Sequence, residues 1–325
     1  MSDDKIHNEH SEIDLAITRQ SPYGTTPEPT YSGITSLFRR QYSKDLSSAD
    51  VAAFGVPYDL AVSNRPGTRF GPRGIRAAST GLAWARPYGW AYDPFDRLSV
   101  IDCGDLLFDP GRPEGIPDEI TAQVSTMLEN DVLTLAMGGD HFITYPILRA
   151  HAAKHGPLSL IHFDAHSDTW RDEKGRIDHG TMFFHAAQQG IVVPERSIQV
   201  GLRTHNNETH GFNILDAPWV HDHSATEAAT RIKKVVGDSL CYLTFDIDCL
   251  DPSVAPGTGT PVSGGLSMHQ AQSILHQLCG INLCGMDLVE VAPAYDVAEI
   301  TALAGATLMQ SMLGIAAYGK SEPEA

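Results

Sequence analysis

Residues 158–169 read LSLIHFDAHSDT. An apolar run ending at Phe163 gives way to Asp164, His166 and Asp168, which recur at every second position. In an extended segment, residues i, i+2 and i+4 lie on one side. The chain therefore finishes a buried strand with two carboxylates and an imidazole pointing the same way. Crowded together, such groups repel and desolvate badly unless a positive charge sits among them. A metal ion is the obvious candidate. His162, in the apolar run before these positions, is expected to face the opposite side from its ligand neighbours and to be a satisfied core histidine.

Working outward, short apolar runs alternate with helical patterns, the signature of βαβ units and a parallel sheet. The strand candidates are residues 51–56, 98–101, 132–136, 158–163, 197–201, 241–245 and 281–286. Ser224 with Glu227, and Ser267 with Gln270, have capping-box spacing ahead of periodic segments. Residues 298–318 also read as a helix. No repeat, low-complexity tract or linker divides the chain. The expectation is one α/β domain over residues 46–325, three layers thick around a mostly parallel sheet. Residues 1–45 precede it as a polar arm, expected at subunit contacts.

Several runs end in reactive residues: Asp140-His141 after two glycines, Asp164 to Asp168, Arg203, Asp246 and Asp248, and Asp287 with Glu290. Ligand sites of open parallel sheets lie at the carboxyl ends of the strands, so these residues converge on one rim. His141, Asp164, His166, Asp168, Asp246 and Asp248 offer four carboxylates and two imidazoles. That is too many for one tetrahedral ion, and it suits two ions of the manganese type with bridging carboxylates. Four negative charges balance two divalent cations. Asp102 and Asp105, which end another strand, are read as structural, and Asp251 as a turn residue. His185, His205, His210, His221 and His223 lie in polar surroundings and read as surface residues.

Composition narrows the function classes. A formal charge of −17 argues against nucleic-acid binding and against an anionic membrane surface, and it would favour a cationic substrate. No apolar run approaches the roughly 18 residues of a membrane span. The polar, acidic start does not resemble a signal peptide. With five cysteines and no CxxC pair, the thiols read as reduced core residues and the cytoplasm as the compartment.

GGDH, FDAHSD, DHGTMF, TFDIDCLDPSVAPGTGTP and GMDLVEVAP together resemble the ureohydrolase family, which includes arginases and agmatinases. The likeness runs from about Ala52 to the C-terminus and is greatest to the bacterial agmatinases. It implies an arginase-like three-layer fold, two Mn²⁺ per subunit, and assembly into trimers or hexamers. Carried over by motif, one ion would be held by His141, Asp164, Asp168 and Asp246. The other would be held by Asp164, His166, Asp246 and Asp248. His179 matches the family's proton-moving histidine, and Glu290 the carboxylate that holds the guanidinium. Two metal ions lower the pKa of a shared water towards neutrality. Asp168 is expected to accept a proton from it while remaining a ligand.

The substrate tail is less constrained. The chain has Ile177-Asp-His-Gly180 where an arginine-specific enzyme would be expected to offer a neutral donor. Asp178 favours an amine tail, as in agmatine, giving putrescine and urea. Guanidinobutyrate, guanidinopropionate and guanidine are the alternatives, and Arg203 would serve a carboxylate tail unless it is a structural arginine pairing with acidic side chains. Outside guanidine hydrolysis, the alternatives are a single-zinc deacylase and a non-catalytic metal-binding relative.

Overall fold

The computed structural model describes residues 29–172 and 174–320. Strands covered on both faces read as unbroken apolar runs, and that is how the sheet is built. Its strands are β1 (Val51–Val56), β2 (Val100–Asp105), β3 (Leu133–Gly138), β4 (Ser159–Phe163), β5 (Ile198–Leu202), β6 (Asn213–Asp216), β7 (Cys241–Asp246) and β8 (Leu283–Val289). They lie in the order β2-β1-β3-β8-β7-β4-β5-β6, every pair parallel.

Helices cover both faces. Val51 and Ala53 of β1 share one core with α1 (Gly71–Ser79), α5 (Ala217–Asp222), α6 (Ala225–Val236), α7 (Met268–His276) and α8 (Ile300–Ala316). Ala52, Phe54 and Val56, on the alternate positions, share the other with α2 (Ile116–Leu128), α3 (Thr144–His155) and α4 (Met182–Gln188). The three layers expected from sequence are therefore present. Both capping boxes form, at the starts of α6 and α7.

Three details differ from the sequence reading. β6 was not expected: its four residues are mostly half-exposed at the sheet edge, too few and too polar to form an apolar run. β2 and β8 run further towards their carboxyl ends than the apolar pattern does. Asp102 and Asp287 consequently lie inside strands, where neighbouring donors satisfy them. Residues 36–43 fasten to their own domain: Leu37 N–H donates to Asp102 Oδ2 (2.8 Å) and Phe38 N–H to Ser79 Oγ (2.8 Å). Residues 1–28 of the expected arm lie outside the described residues.

Four central neighbours, β3, β8, β7 and β4, end side by side on one rim. The residues singled out above follow directly from these strands.

Candidate metal centre

His141 leaves β3 in a short 3-10 turn capped by Asp140, whose Oδ1 accepts the Phe142 N–H (3.1 Å). The two glycines before it are there for room. A Cβ on Gly139 would fall 2.1 Å from Tyr58 O, and one on Gly138 2.5 Å from Val289 Cγ1. His141 Nδ1 lies 3.0 Å from Asp164 Oδ2, 3.0 Å from Asp168 Oδ2 and 3.3 Å from Asp246 Oδ2. On the other side of Asp164, His166 Nδ1 lies 3.3 Å from Asp164 Oδ1 and 3.1 Å from Asp248 Oδ2. Asp164 thus faces two clusters, one oxygen to each. All six candidate ligands meet on the rim, and all but His166 are buried.

Donor chemistry tests whether this space fits a cation. Thr244 Oγ1 donates to Asp287 Oδ1 (2.5 Å), so towards His141 Nε2 (2.8 Å) it can only accept. Nε2 therefore carries a ring proton in either charge state, and Nδ1, aimed at three carboxylate oxygens, is the nitrogen that takes a second proton or a metal ion. Nδ1 is buried and makes no hydrogen bond. A divalent ion accepting nitrogen and oxygen ligands fits this space. The electrostatics agree. Burial opposes a charged His141, but Asp164, Asp168 and Asp246 outweigh it and hold its pKa well above the ordinary value. Burial likewise opposes charge on His166, yet Asp248 and Asp164 push it up to about 12. The site attracts positive charge, proton or metal.

His162 corrects the sequence reading. It lies on the same side as Asp164, as a period of two requires, with Nε2 2.8 Å from Asp164 Oδ2. By distance it completes a ligand set with His141, Asp164 and Asp168, a set that does not include Asp246. Its hydrogen bonds assign it another role. Gln199 Nε2 donates to Ser167 O (2.6 Å) and to His162 Nδ1 (3.0 Å), which leaves the proton on His162 Nε2. His162 is a satisfied core histidine after all, and it orients Asp164.

Glu290 follows β8 with φ +65°, and Asp168 follows β4 with φ +51°. Two non-glycine residues in the left-handed region beside one cluster are strained positions held by their surroundings. Glu290 Oε1 accepts from His141 N–H (3.0 Å) and from His179 Nδ1 (3.2 Å). Glu290 Oε2 is buried with no partner. It faces Gly259, where a Cβ would come within 3.2 Å of it. His179 Nε2 accepts the Ser63 N–H (3.0 Å). Burial disfavours the His179 cation, but Glu290 prevails and raises its pKa to about 9.

Asp178 is half-buried, and its Oδ1 accepts the Gly180 N–H (3.0 Å), so it closes the loop that carries His179. Arg203 departs from expectation. It bonds main-chain carbonyls of Gly201, Asp248, Cys249, Leu250 and Val262 and not acidic side chains, clamping the segment that holds Asp248. Asp251 is a turn residue, accepting from Ser253, Gly264 and Gly265 N–H. The five outlying histidines are exposed or half-buried and away from the cluster. Sequence reasoning missed Thr244, Gln199 and the hydroxyl of Thr260, which donates to Asp248 Oδ2 (3.1 Å). Of the groups behind the ligands, only Asp287 was noted from sequence, as a reactive residue at the end of an apolar run.

Among the described residues, no helix is long and apolar enough to cross a membrane. The five cysteines are free.

Residues 49–314 match the arginase family. The chain is 51% identical over 315 residues to an agmatinase from Chromobacterium violaceum, covering 96% of each chain. Among solved structures it is similar to a hypothetical agmatinase from Burkholderia thailandensis, with TM-score 0.90 and 53% identity over 94% of this chain and 97% of the other. It also resembles the proclavaminate amidino hydrolase of Streptomyces clavuligerus, with TM-score 0.83 and 33% identity over 89% and 99%.

Proposed function

Since the chain belongs to the arginase family, we propose that it hydrolyses agmatine to putrescine and urea at a binuclear manganese centre. That it is a ureohydrolase follows from relatives about half identical over most of the chain. In the proposed centre His141, Asp164, Asp168 and Asp246 hold one ion, and Asp164, His166, Asp246 and Asp248 the other. When bound, the two ions supply water activation near neutral pH.

One observation carries the guanidino reading: a buried carboxylate oxygen with no partner, Glu290 Oε2, beside the cluster. A guanidinium stays protonated near neutrality and presents a planar fork of N–H donors. Glu290 would hold it by charge-assisted hydrogen bonds. His179, tethered to Glu290 through Nδ1, would give a proton to the departing amine, and Asp168 would accept one from the attacking water.

For the tail, the carbonyl contacts of Arg203 remove it as a partner for a substrate carboxylate, while Asp178 adds negative charge near His179. Both favour an amine tail. The free thiols fit a cytoplasmic protein. Assembly into trimers or hexamers belongs to the same proposal.

The test is urea release by the Mn²⁺-loaded protein from agmatine, arginine, guanidinobutyrate, guanidinopropionate and guanidine. Fast release from agmatine alone is expected. Preference for a carboxylate tail would keep the chemistry and overturn the use of Asp178, and no release from any compound would overturn the reading. Metal analysis should find two ions per chain; one zinc would favour the deacylase.

A further inference from the structure

We propose that Ser63 is the proton entry of the site, passing protons from solvent to His179 through its hydroxyl; this rests on the ureohydrolase reading above. Ser63 is exposed, and its loop lies on the side of His179 opposite Glu290. Its Oγ is 2.8 Å from His179 Nε2, and its N–H donates to the same nitrogen (3.0 Å). The ring therefore has one nitrogen towards the buried carboxylate and the other towards a hydroxyl in contact with water.

Why a serine is needed follows from donor counting. The Ser63 N–H can only donate, so it suits His179 when Nε2 is a lone pair and the proton is on Nδ1, facing Glu290. A charged ring carries a proton on Nε2 as well, and the amide cannot receive it. The hydroxyl can, because it both donates and accepts. Ser63 Oγ is thus the one group at Nε2 compatible with either state of the ring. Burial acts against the charged ring, and the side chains that act most in its favour are acidic: Glu290 in contact, then Asp168 and Asp140.

The relay starts from the neutral tautomer that the Ser63 N–H favours, the state the ring regains in each turnover once it has given up its proton. Ser63 gives its hydroxyl proton to Nε2, so that one O–H bond breaks and one N–H bond forms. The oxygen regains a proton from a solvent water or a buffer acid. The charged ring then passes its Nδ1 proton to the nitrogen of the leaving amine and is left neutral with its proton on Nε2. One proton has entered at Nε2 and one has left at Nδ1. The starting tautomer returns when Nδ1 takes the proton that Asp168 accepted from the attacking water and Nε2 hands its own back through the Ser63 hydroxyl to solvent.

Ser63→Ala keeps the amide contact, and therefore the placement of the ring, while removing the hydroxyl. In dilute buffer, turnover of the best guanidino substrate should fall about tenfold, less than the loss of a whole general acid. KM and metal content should not change. Small buffer acids such as imidazolium should restore turnover in proportion to their concentration, and Ser63→Thr should restore it without them. Wild-type turnover in Ser63→Ala, or a defect that neither buffer nor threonine relieves, overturns the relay. A second readout needs no substrate: by ¹⁵N NMR on the metal-free protein, the His179 pKa should be lower in Ser63→Ala. An unchanged titration also overturns the relay. If the wild type hydrolyses no guanidino compound, the ureohydrolase reading fails, and the titration still decides whether Ser63 supports the charged ring.

Discussion

Strands β2 and β7 each bring paired aspartates to their carboxyl-terminal part, Asp102 with Asp105 and Asp246 with Asp248, yet the two pairs are neutralised differently. Arg76 reaches over from α1 to the first pair, donating through Nε to Asp102 Oδ2 (2.8 Å), Nη2 to Asp102 Oδ1 (2.9 Å) and Nη1 to Asp105 Oδ1 (2.6 Å). The second pair, with Asp164 and Asp168, forms ion pairs only with histidines among the described residues. A carboxylate pair with its own guanidinium is complete and holds the fold. A pair without one leaves its charge to be balanced by an exchangeable cation, which is what the proposed centre supplies.

Breaking each pair should separate the two roles. Asp246→Ala should lose bound Mn²⁺ and urea release to background while remaining folded. Asp102→Ala leaves Arg76 buried without its main partner and should cost about 3–5 kcal/mol of stability, with metal content per folded chain unchanged. Metal analysis beside chemical denaturation reads both. A fully metallated Asp246→Ala would refute the ligand assignment, and metal loss in folded Asp102→Ala would erase the distinction.

His179→Ala tests whether chemistry can be removed without touching the cations. Turnover should drop by roughly 10²–10⁴, the range for losing general acid–base help, with Mn²⁺ retained. Full activity would take His179 out of the mechanism.

Thr244→Val probes the support beneath His141. Removing the hydroxyl between Asp287 and Nε2 frees the ring to turn and to change tautomer. Losses behind a metal ligand typically reach about 10–100-fold in metal affinity. A titration giving the wild-type dissociation constant would mean that packing alone orients His141.

Raising the pH should sharpen the contrast further. His166 in the metal-free protein is held up to about 12, and His141 is also raised. A raised folded-state pKa adds stability that is fully present below the unfolded value of about 6.5 and lost as pH climbs through the folded value. The metal-free protein should weaken from about pH 6.5 upward. Metal binding displaces these protons, so affinity should rise roughly tenfold per pH unit for each proton released. Flat metal affinity between pH 6.5 and 8.5 would count against protons occupying the sites.

How much of this the sequence revealed depends on distance along the chain. Alternation within 158–168 is local, so the crowding of Asp164, His166 and Asp168 could be read directly, and three strand ends with similar endings pointed to a common rim. Asp102 reads as structural, but its partner Arg76 is 26 residues away and no period links them, so the reason was not legible. The clamp by Arg203 and the tautomer set by Asp287 through Thr244 are likewise contacts between strands. The side that His162 faces was misread for a simpler reason, a miscounted alternation, although it is a satisfied core histidine as expected.

Asp178 offers the smallest effect and the finest test. Its Oδ1 already closes the His179 loop, so one oxygen serves structure and the carboxylate charge is what remains for a substrate amine. Asp178→Asn keeps the side-chain oxygen that accepts from Gly180 and removes only the charge. A half-exposed ion pair contributes about 0.2–1 kcal/mol, which corresponds to an increase in KM for agmatine of roughly 1.4- to fivefold. The kcat should stay the same, because a tail contact is made equally in ground and transition states. Guanidinobutyrate, with the opposite tail charge, should gain by a similar factor. If KM for agmatine holds while kcat falls, Asp178 acts only by placing His179, and tail recognition lies elsewhere on the rim.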